Sequence, residues 1–223
     1  MKILISLSAF LIGSVAFGQE RASDPVGDAR NSISQEADFD TALLLLEAFE
    51  SHALEAAPPV TSAELADLNF LMGVLEFYLN QDEEAAKSRW AWSLQIDPAF
   101  KWDEELVGGV GQEIFEEVRR LMENTPAFTP IPEGQVSSIP VFMDGERLKA
   151  GSLVKQGRHL IQARCRDGVM RGVYAHVSTD TSVVCPCPLQ ACFADTKASG
   201  SGKSRSKDAG ERASLGATVN AGG

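Results

Sequence analysis

The chain has 223 residues, 44% of them hydrophobic, and its mean hydropathy of -0.07 excludes a multi-span membrane protein. Its net charge of -11 excludes a general nucleic-acid binder, because phosphate binding needs clustered basic residues. The charge is uneven: residues 20–133 carry 24 acidic and 7 basic side chains, whereas residues 134–223 carry 7 acidic and 12 basic ones. This asymmetry predicts two domains with different surfaces.

Residues 1–18 are typical of a secretory signal peptide. An apolar run extends from Ile3 to Phe17, and small residues at Ala16 and Gly18 precede a cut that would leave Gln19 first. The run is shorter than the roughly 20 residues of a bilayer span, although an uncleaved anchor is the alternative. We therefore expect a periplasmic or secreted protein with no lipid-anchor cysteine and no transmembrane segment after cleavage.

Four stretches with helical spacing follow a polar segment. Residues 19–37, with Pro25 and Gly27, are interpreted as a flexible lead-in. Apolar residues then recur with a helical period through residues 38–123. Breaks fall at Pro58-Pro59, Asn80-Gln81-Asp82 and Asp97-Pro98, and a capping helix is expected within 103–123. We predict one helical domain over 38–123.

A 44-residue repeat lies within this domain. Asp38, Ala42, Leu46 and Phe49 precede Asp82, Ala86, Trp90 and Ser93 by that spacing. The second copy resembles the tetratricopeptide repeat, with Gly73 in its first helix, then Ala86, Trp90 and a closing Asp97-Pro98. It departs from the family in one extra residue between Gly73 and Ala86, and in Ser93 where alanine is usual. The first copy is predicted to retain mainly its second helix. The resemblance implies a helical groove that binds a protein or peptide partner.

Five residues are predicted to contact such a partner: Trp92, Trp102, Asp82, Glu83 and Glu84. Trp90 fits the buried position of the repeat, and Trp92 cannot share its face because the two are two residues apart on a helix. Trp92 either packs on the next helix near Trp102 or is an exposed anchor on the partner surface. The acidic residues favour a basic partner.

A Pro-rich stretch over residues 124–134 is interpreted as a semi-rigid linker. The hydrophobic period then changes to two, and Asp144-Gly145 and Asp167-Gly168 are turn signals. We predict a small all-β sandwich or open barrel over 135–188, whose last strand is Thr181–Cys185.

This β region resembles the PEGA domain of bacterial envelope and secreted proteins. The residues that carry the resemblance are Val141-Phe142-Met143-Asp144-Gly145 and Gly157-Arg158-His159-Leu160-Ile161. The spacing from Gly134 to Val141 is longer than in the family, and Arg166-Asp167-Gly168 replaces the family's Pro-Gly-aromatic step. The resemblance implies an accessory or ligand-contacting module, and no catalytic residue is carried over from it.

All four cysteines, Cys165, Cys185, Cys187 and Cys192, lie in the second half of the chain. In an exported protein they are predicted to form disulfides, with Cys165 paired to Cys185 or Cys187. The alternative is a metal-binding or redox module in which the last three cysteines and His176 supply soft ligands. Their spacing matches no common zinc pattern. His159 is interpreted as a core or turn histidine.

Residues 189–223 are half Ala, Gly and Ser, which predicts a disordered tail with at most weak contact to envelope polymers. The sequence therefore predicts an α+β multidomain protein, with a tetratricopeptide-like helical hairpin unit followed by a PEGA-like β-sandwich. We expect a non-catalytic interaction or scaffold protein without cofactor or metal, since its three scattered histidines form no Ser/His/Asp pattern. An accessory domain of an envelope hydrolase is a further alternative.

Overall fold

The structure, a computed structural model, describes residues 24–131, 135–180, 183–188 and 192–195. Its helices precede short antiparallel strands, so the expected α+β class is confirmed. The chain divides into two compact units: Met1–Ala53 with Ser62–Glu123, and Leu54–Thr61 with Asn124–Gly223. The predicted signal peptide lies outside the described residues, and no described helix is long and apolar enough to cross a membrane.

The first unit is helical. Its elements are α1 (Pro25–Asn31) with a π-helical turn (Ser32–Glu36), α2 (Phe39–His52), α3 (Ser62–Tyr78), α4 (Glu83–Ile96), α5 (Glu104–Val107) and α6 (Gln112–Glu123). Its core contains large, fully buried side chains, among them Leu46, Leu65, Phe70, Leu75, Trp90, Leu94 and Phe115. A polar contact also ties three helices together, because Arg89 on α4 donates to Glu50 on α2, over 2.9 and 3.1 Å, and to Asn69 on α3, over 3.3 Å.

The prediction of a flexible lead-in is wrong for residues 25–36, which are helical. Asp24 is the N-cap of α1, and its Oδ1 accepts from the Gly27 amide over 2.9 Å. Pro25 stands at the first helical turn, where a fixed φ and a missing N–H favour the helix. Burial of Val26, Ala29 and Ile33 then holds this segment in the core.

The 44-residue repeat is also visible in the backbone. Ala37 and Gln81 both adopt the left-handed conformation, at φ 49° and 54°. The next residues, Asp38 and Asp82, are N-caps of α2 and α4, and each donates its own amide over 3.0 Å to a carbonyl six residues earlier. The turns before α2 and α4 therefore share one geometry. The first copy has its own preceding helix, α1, so the prediction that it retains mainly the second helix is wrong.

Trp90 is the largest of the fully buried side chains in the helical core. A Cβ atom added to Gly73 on α3 would lie 2.5 Å from both Cδ1 and Nε1 of this indole. The indole Nε1 donates to the Phe70 carbonyl over 3.2 Å, which fixes the ring. In the first copy the smaller Leu46 takes the place of Trp90, and Ala29 stands where the second copy has Gly73.

The second unit contains antiparallel strands only, among the residues described. They are β1 (Ala127–Phe128), β2 (Gln135–Ser137), β3 (Val141–Met143), β4 (Glu146–Arg147), β5 (Val154–Lys155), β6 (Gly157–Arg164), β7 (Met170–Val177) and β8 (Phe193–Asp195). A four-stranded sheet has the order β4-β3-β6-β7, and β1 pairs with β5 and β2 with β8. Asp144 and Gly145 form the β3–β4 turn with positive φ at both residues, which the right-handed strand twist favours in a tight hairpin.

Three predicted boundaries of the β region differ from the structure. The stretch interpreted as a linker contains β1 and the buried Ile131. Residues 183–188 contain no strand, so the last strand predicted at Thr181–Cys185 is wrong for its described part. The strand β8 lies instead in the stretch predicted as tail. Its pairing with β2 spans more than fifty residues, which no local pattern indicates. Apart from Cys192, the rest of the predicted tail lies outside the described residues.

The segment Leu54–Thr61 is grouped with the second unit, although the sequence places it between two predicted helices. It approaches the sheet at Gly172 on β7, where an added Cβ would lie 2.9 Å from the Leu54 carbonyl oxygen. Ala56 and Val60 of this segment are buried. The absence of a side chain at Gly172 thus lets the backbone of the segment contact the sheet.

Candidate functional site

A cleft of about 490 Å³ opens on the helical unit, between α1, the first turns of α3 and the loop after α4. This volume is in the range of ligand-binding pockets. Its lining residues are Asp24, Val26, Gly27, Arg30, Ala63, Glu64, Ala66, Asp67, Asp97 and Phe100. The cleft therefore combines carboxylates with apolar side chains.

The cleft is acidic, with four carboxylates against one guanidinium. The Arg30 guanidinium donates to Asp67 on α3 and to Asp103, the N-cap of α5. These side chains keep about 30% of their surface exposed, namely 30% for Arg30, 27% for Asp67 and 32% for Asp103. The excess of carboxylates favours a cationic ligand over an anionic one.

Apolar side chains supply the rest of the lining. Val26 comes from α1, Ala63 and Ala66 from α3, and Phe100 from the loop after α4. The Phe100 ring packs on the buried Phe70 ring, with centroids 5.0 Å apart, which fixes this part of the wall. The ten lining residues include no Ser, Thr, Cys or His, so they offer binding contacts rather than one of these nucleophiles or a histidine base.

The three predicted acidic contact residues lie at the start of α4 and do not line the cleft. Asp82 accepts from the Ala85 amide over 2.9 Å as the N-cap. Glu83 and Glu84 lie 2.6 and 3.3 Å from Lys87, and the hydrogen bond with Glu83 is the main reason that the pKa of Lys87 is raised. In this structure these side chains stabilise their own helix.

The hypothesis that Trp92 is an exposed anchor is wrong, because its side chain is buried with only 4% of its surface accessible. Trp102 is half-buried and packs edge-on against Trp90, with ring centroids 5.5 Å apart. Its indole nitrogen donates to the Gly108 carbonyl over 2.6 Å. Both predicted tryptophans thus belong to the packing of the helical unit.

Sequence reasoning missed the cleft, because the four lining residues on α1 and its N-cap fall within residues 19–37, which were interpreted as a lead-in. Two signals could have found them. Asp24-Pro25 is a capping residue followed by proline at the first helical position. The residue 44 positions before Gly73 is Ala29, another small residue, which is the signal for a first helix in the first copy.

Two disulfides cross-link the second unit, Cys165–Cys187 and Cys185–Cys192. Cys165 thus pairs with one of the two partners left open by the sequence, and disulfide bonding is confirmed. The metal alternative is not supported, because its three cysteine ligands are all oxidised and His176 is exposed on β7. Within the described part of the chain, no group of three or more His, Cys, Asp or Glu side chains could hold a metal ion.

A buried polar pair lies in the β unit. Nδ1 of His159, on β6, is 2.6 Å from Asp144 Oδ2 in the β3–β4 turn, and Nε2 is 2.9 Å from the Lys155 carbonyl. The second carboxylate oxygen of Asp144 accepts from the Leu160 amide over 2.9 Å. The histidine side chain is 3% exposed. It is thus a hydrogen-bonded core histidine, as interpreted from the sequence.

Opposing effects act on the pKa of His159. Burial, the largest of them, lowers it, but the hydrogen bond and negative charge of Asp144 and the bond to the Lys155 carbonyl together raise the pKa above its usual 6.5. The protonated ring is therefore favoured more than in an unperturbed histidine.

The class that the structure defines is a two-unit α+β protein with an acidic cleft on its helical unit and disulfides in its β unit. No family model matches the chain, and neither the curated proteins nor the solved structures contain a match to it.

Proposed function

We propose that the chain is a non-catalytic interaction protein of the bacterial cell envelope, whose helical unit binds a basic segment of a protein partner in the acidic cleft. The helical unit would be a tetratricopeptide-like module, and the β unit a PEGA-like module that contacts another envelope component or positions the helices. The protein would be exported through its signal peptide.

The observation that carries this proposal is the composition of the cleft. A segment with Lys or Arg beside an apolar residue would satisfy both its carboxylates and its wall of Val26 and Phe100. Electrostatic complementarity of this kind favours fast association and selects against acidic partners. The contacts would be non-covalent throughout.

Two further features support the assignment. The helix pairs α1–α2 and α3–α4 repeat with the same turn geometry at Ala37 and Gln81, which is the organisation expected of stacked helical repeats. The two disulfides fit an oxidising compartment outside the cytoplasm.

The test is site-specific photo-crosslinking in intact cells from Ala63, an exposed residue in the cleft wall. Two charge-reversal variants are made in the chain that carries the crosslinker. Glu64→Lys reverses an exposed charge in the cleft, and Glu84→Lys reverses an exposed charge on α4 outside the cleft. We expect one crosslinked partner that is lost with Glu64→Lys and kept with Glu84→Lys.

A direct titration complements the crosslinking. Short peptides with Lys and Leu should shift the amide NMR signals of α1 and of the first turn of α3, and the shifts should weaken as salt is raised. Matched peptides with Glu in place of Lys are the control. Equal capture by both charge-reversal variants, or equal shifts with both peptides, would contradict the proposed role of the cleft.

A further inference from the structure

We propose that His159 and Asp144 form a pH-sensitive pin of the β unit, in which a buried imidazolium ties the β3–β4 turn to Lys155, the last residue of β5, and releases the turn as the pH rises. This inference rests on the geometry of the second unit and is independent of the proposed function of the cleft.

The first argument is the identity of the two hydrogen-bond partners. Nδ1 faces a carboxylate oxygen at 2.6 Å and Nε2 faces a backbone carbonyl at 2.9 Å. Both partners are acceptors only, and a neutral imidazole has a single N–H. Only the doubly protonated ring can donate to both acceptors, so the site favours the imidazolium form of His159.

The second argument is burial. The side chains of His159 and Asp144 are 3% and 11% exposed, so water cannot readily replace a bond that deprotonation removes. A neutral ring would leave one of its two acceptors facing a nitrogen lone pair in a poorly solvated site, which is costly. Loss of the proton therefore removes one of the two hydrogen bonds that the His159 ring donates.

Asp144, in the turn before β4, faces the ring with its carboxylate at hydrogen-bonding distance. Lys155 contributes its backbone carbonyl. Across the sheet, the residue paired with His159 is the uncharged Ala175 on β7. Asp144 also fixes the backbone of β6 through the Leu160 amide, so the pin connects the tight turn to the central strand pair.

The expected pH dependence follows from the direction of the pKa shift. A pKa that is higher in the folded than in the unfolded state gives a contribution to stability that is complete below the unfolded value, about 6.5. That contribution is lost as the pH rises through the folded-state value. The β unit should therefore be held more firmly in mildly acidic than in alkaline solution.

The experiment uses the full chain with His52→Gln and His176→Gln, which removes the two exposed histidines and leaves His159 as the only one. Ring nitrogen NMR then reports its protonation directly. We expect more than half of the rings to carry protons on both nitrogens at pH 6.5, the usual pKa of histidine. A ring that is half deprotonated at or below pH 6.5 would overturn the proposal.

A matched variant tests the partner. Asp144→Asn keeps the shape of the side chain, and asparagine tolerates the positive φ of this turn. We expect its His159 titration midpoint to fall below that of the parent chain, whereas Asp167→Asn, at an exposed turn, should not move it. An unchanged midpoint in Asp144→Asn would overturn the role of the carboxylate.

Hydrogen exchange of the Leu160 amide gives a third readout that needs no variant. At a pH above the folded-state pKa of His159, the protection factor of the Leu160 amide should be lower than in acidic solution. The expected drop is tenfold for each pH unit by which that pKa exceeds 6.5. A protection factor that is constant from acidic to alkaline pH would contradict the release of the pin.

Discussion

At the scale of single residues, the contact between Gly73 and Trp90 sets how closely α3 and α4 pack. The indole cannot move away easily, because it is fully buried and hydrogen-bonded to the Phe70 carbonyl. Any side chain at position 73 would meet the indole at 2.5 Å. The glycine is therefore required by a close approach within the core, not by an unusual backbone angle.

We predict that Gly73→Ala lowers the free energy of unfolding of the helical unit. Overpacking typically costs about 1–3 kcal/mol, which exceeds the gain of about 1 kcal/mol that alanine brings to a helix over glycine. Urea unfolding followed by tryptophan fluorescence measures the effect.

The matched control is Gly109→Ala, since a Cβ at that position meets no atom within 4 Å. It should be neutral or stabilising, because alanine restricts the unfolded chain. Equal urea midpoints for the Gly73 and Gly109 variants would show that the approach of the indole is not a constraint.

At the scale of elements, the two equivalent turns before α2 and α4 each depend on one aspartate. Asp38 accepts from the Thr41 amide over 3.0 Å and Asp82 from the Ala85 amide over 2.9 Å. Each bond satisfies an amide that the first turn of a helix leaves without an intrahelical acceptor.

Asp82→Ala should therefore destabilise the helical unit by about 1 kcal/mol, and Asp38→Ala should shift the urea midpoint in the same direction. Hydrogen bonds from the side chain and backbone of Thr41 lower the pKa of Asp38 below 3.8. Its contribution is complete above that pH and is lost as the pH falls through the lower, folded-state value. The control is Glu47→Ala, at an exposed acid within α2, which should leave the urea midpoint unchanged.

Elements with a strong local period could be predicted from the sequence. The faces of α2, α3 and α4 repeat apolar residues every three or four positions, and the β6–β7 pair alternates around Asp167-Gly168. The prediction of disulfides is confirmed; it followed from four cysteines in a chain that the sequence predicts to be exported, where disulfide bonding is their usual role.

The missed elements are those that long-range contacts stabilise. The helix α1 spans only seven residues, too few for a strong period, and Arg30 is held by Asp67 and Asp103, far along the chain. The cleft was missed with it, because four of its ten lining residues come from that helix and its N-cap. For Trp92 the sequence left two alternatives open, because spacing shows that it leaves the Trp90 face but not whether another helix covers it; its burial agrees with the packed alternative.

At the scale of the whole molecule, the two units carry separate natural probes. All three tryptophans lie in the helical unit and all four cysteines in the β unit. Fluorescence and disulfide chemistry therefore report on different parts of the chain.

We predict that a reducing agent destabilises the β unit. The urea midpoint of the unfolding transition followed by tryptophan fluorescence should stay unchanged. The chain-entropy model gives about 3 kcal/mol for Cys165–Cys187 and about 2 kcal/mol for Cys185–Cys192, whose sequence separations are 22 and 7. Proteolysis within residues 135–188 should accelerate after reduction, while the fluorescence midpoint in urea stays constant. A fluorescence midpoint that moves with reductant would contradict independent unfolding of the two units.

The segment Leu54–Thr61 makes the chain pass between its two units three times, after Ala53, after Thr61 and after Glu123. A single nick at Glu123–Asn124 therefore does not separate a helical fragment from a β fragment, because the first piece still carries a part of the β unit. We expect the nicked protein to elute as one particle, by non-covalent complementation through the contact at Gly172. Gly172→Ala should release the two pieces on gel filtration, and separation of the nicked parent chain would refute the prediction.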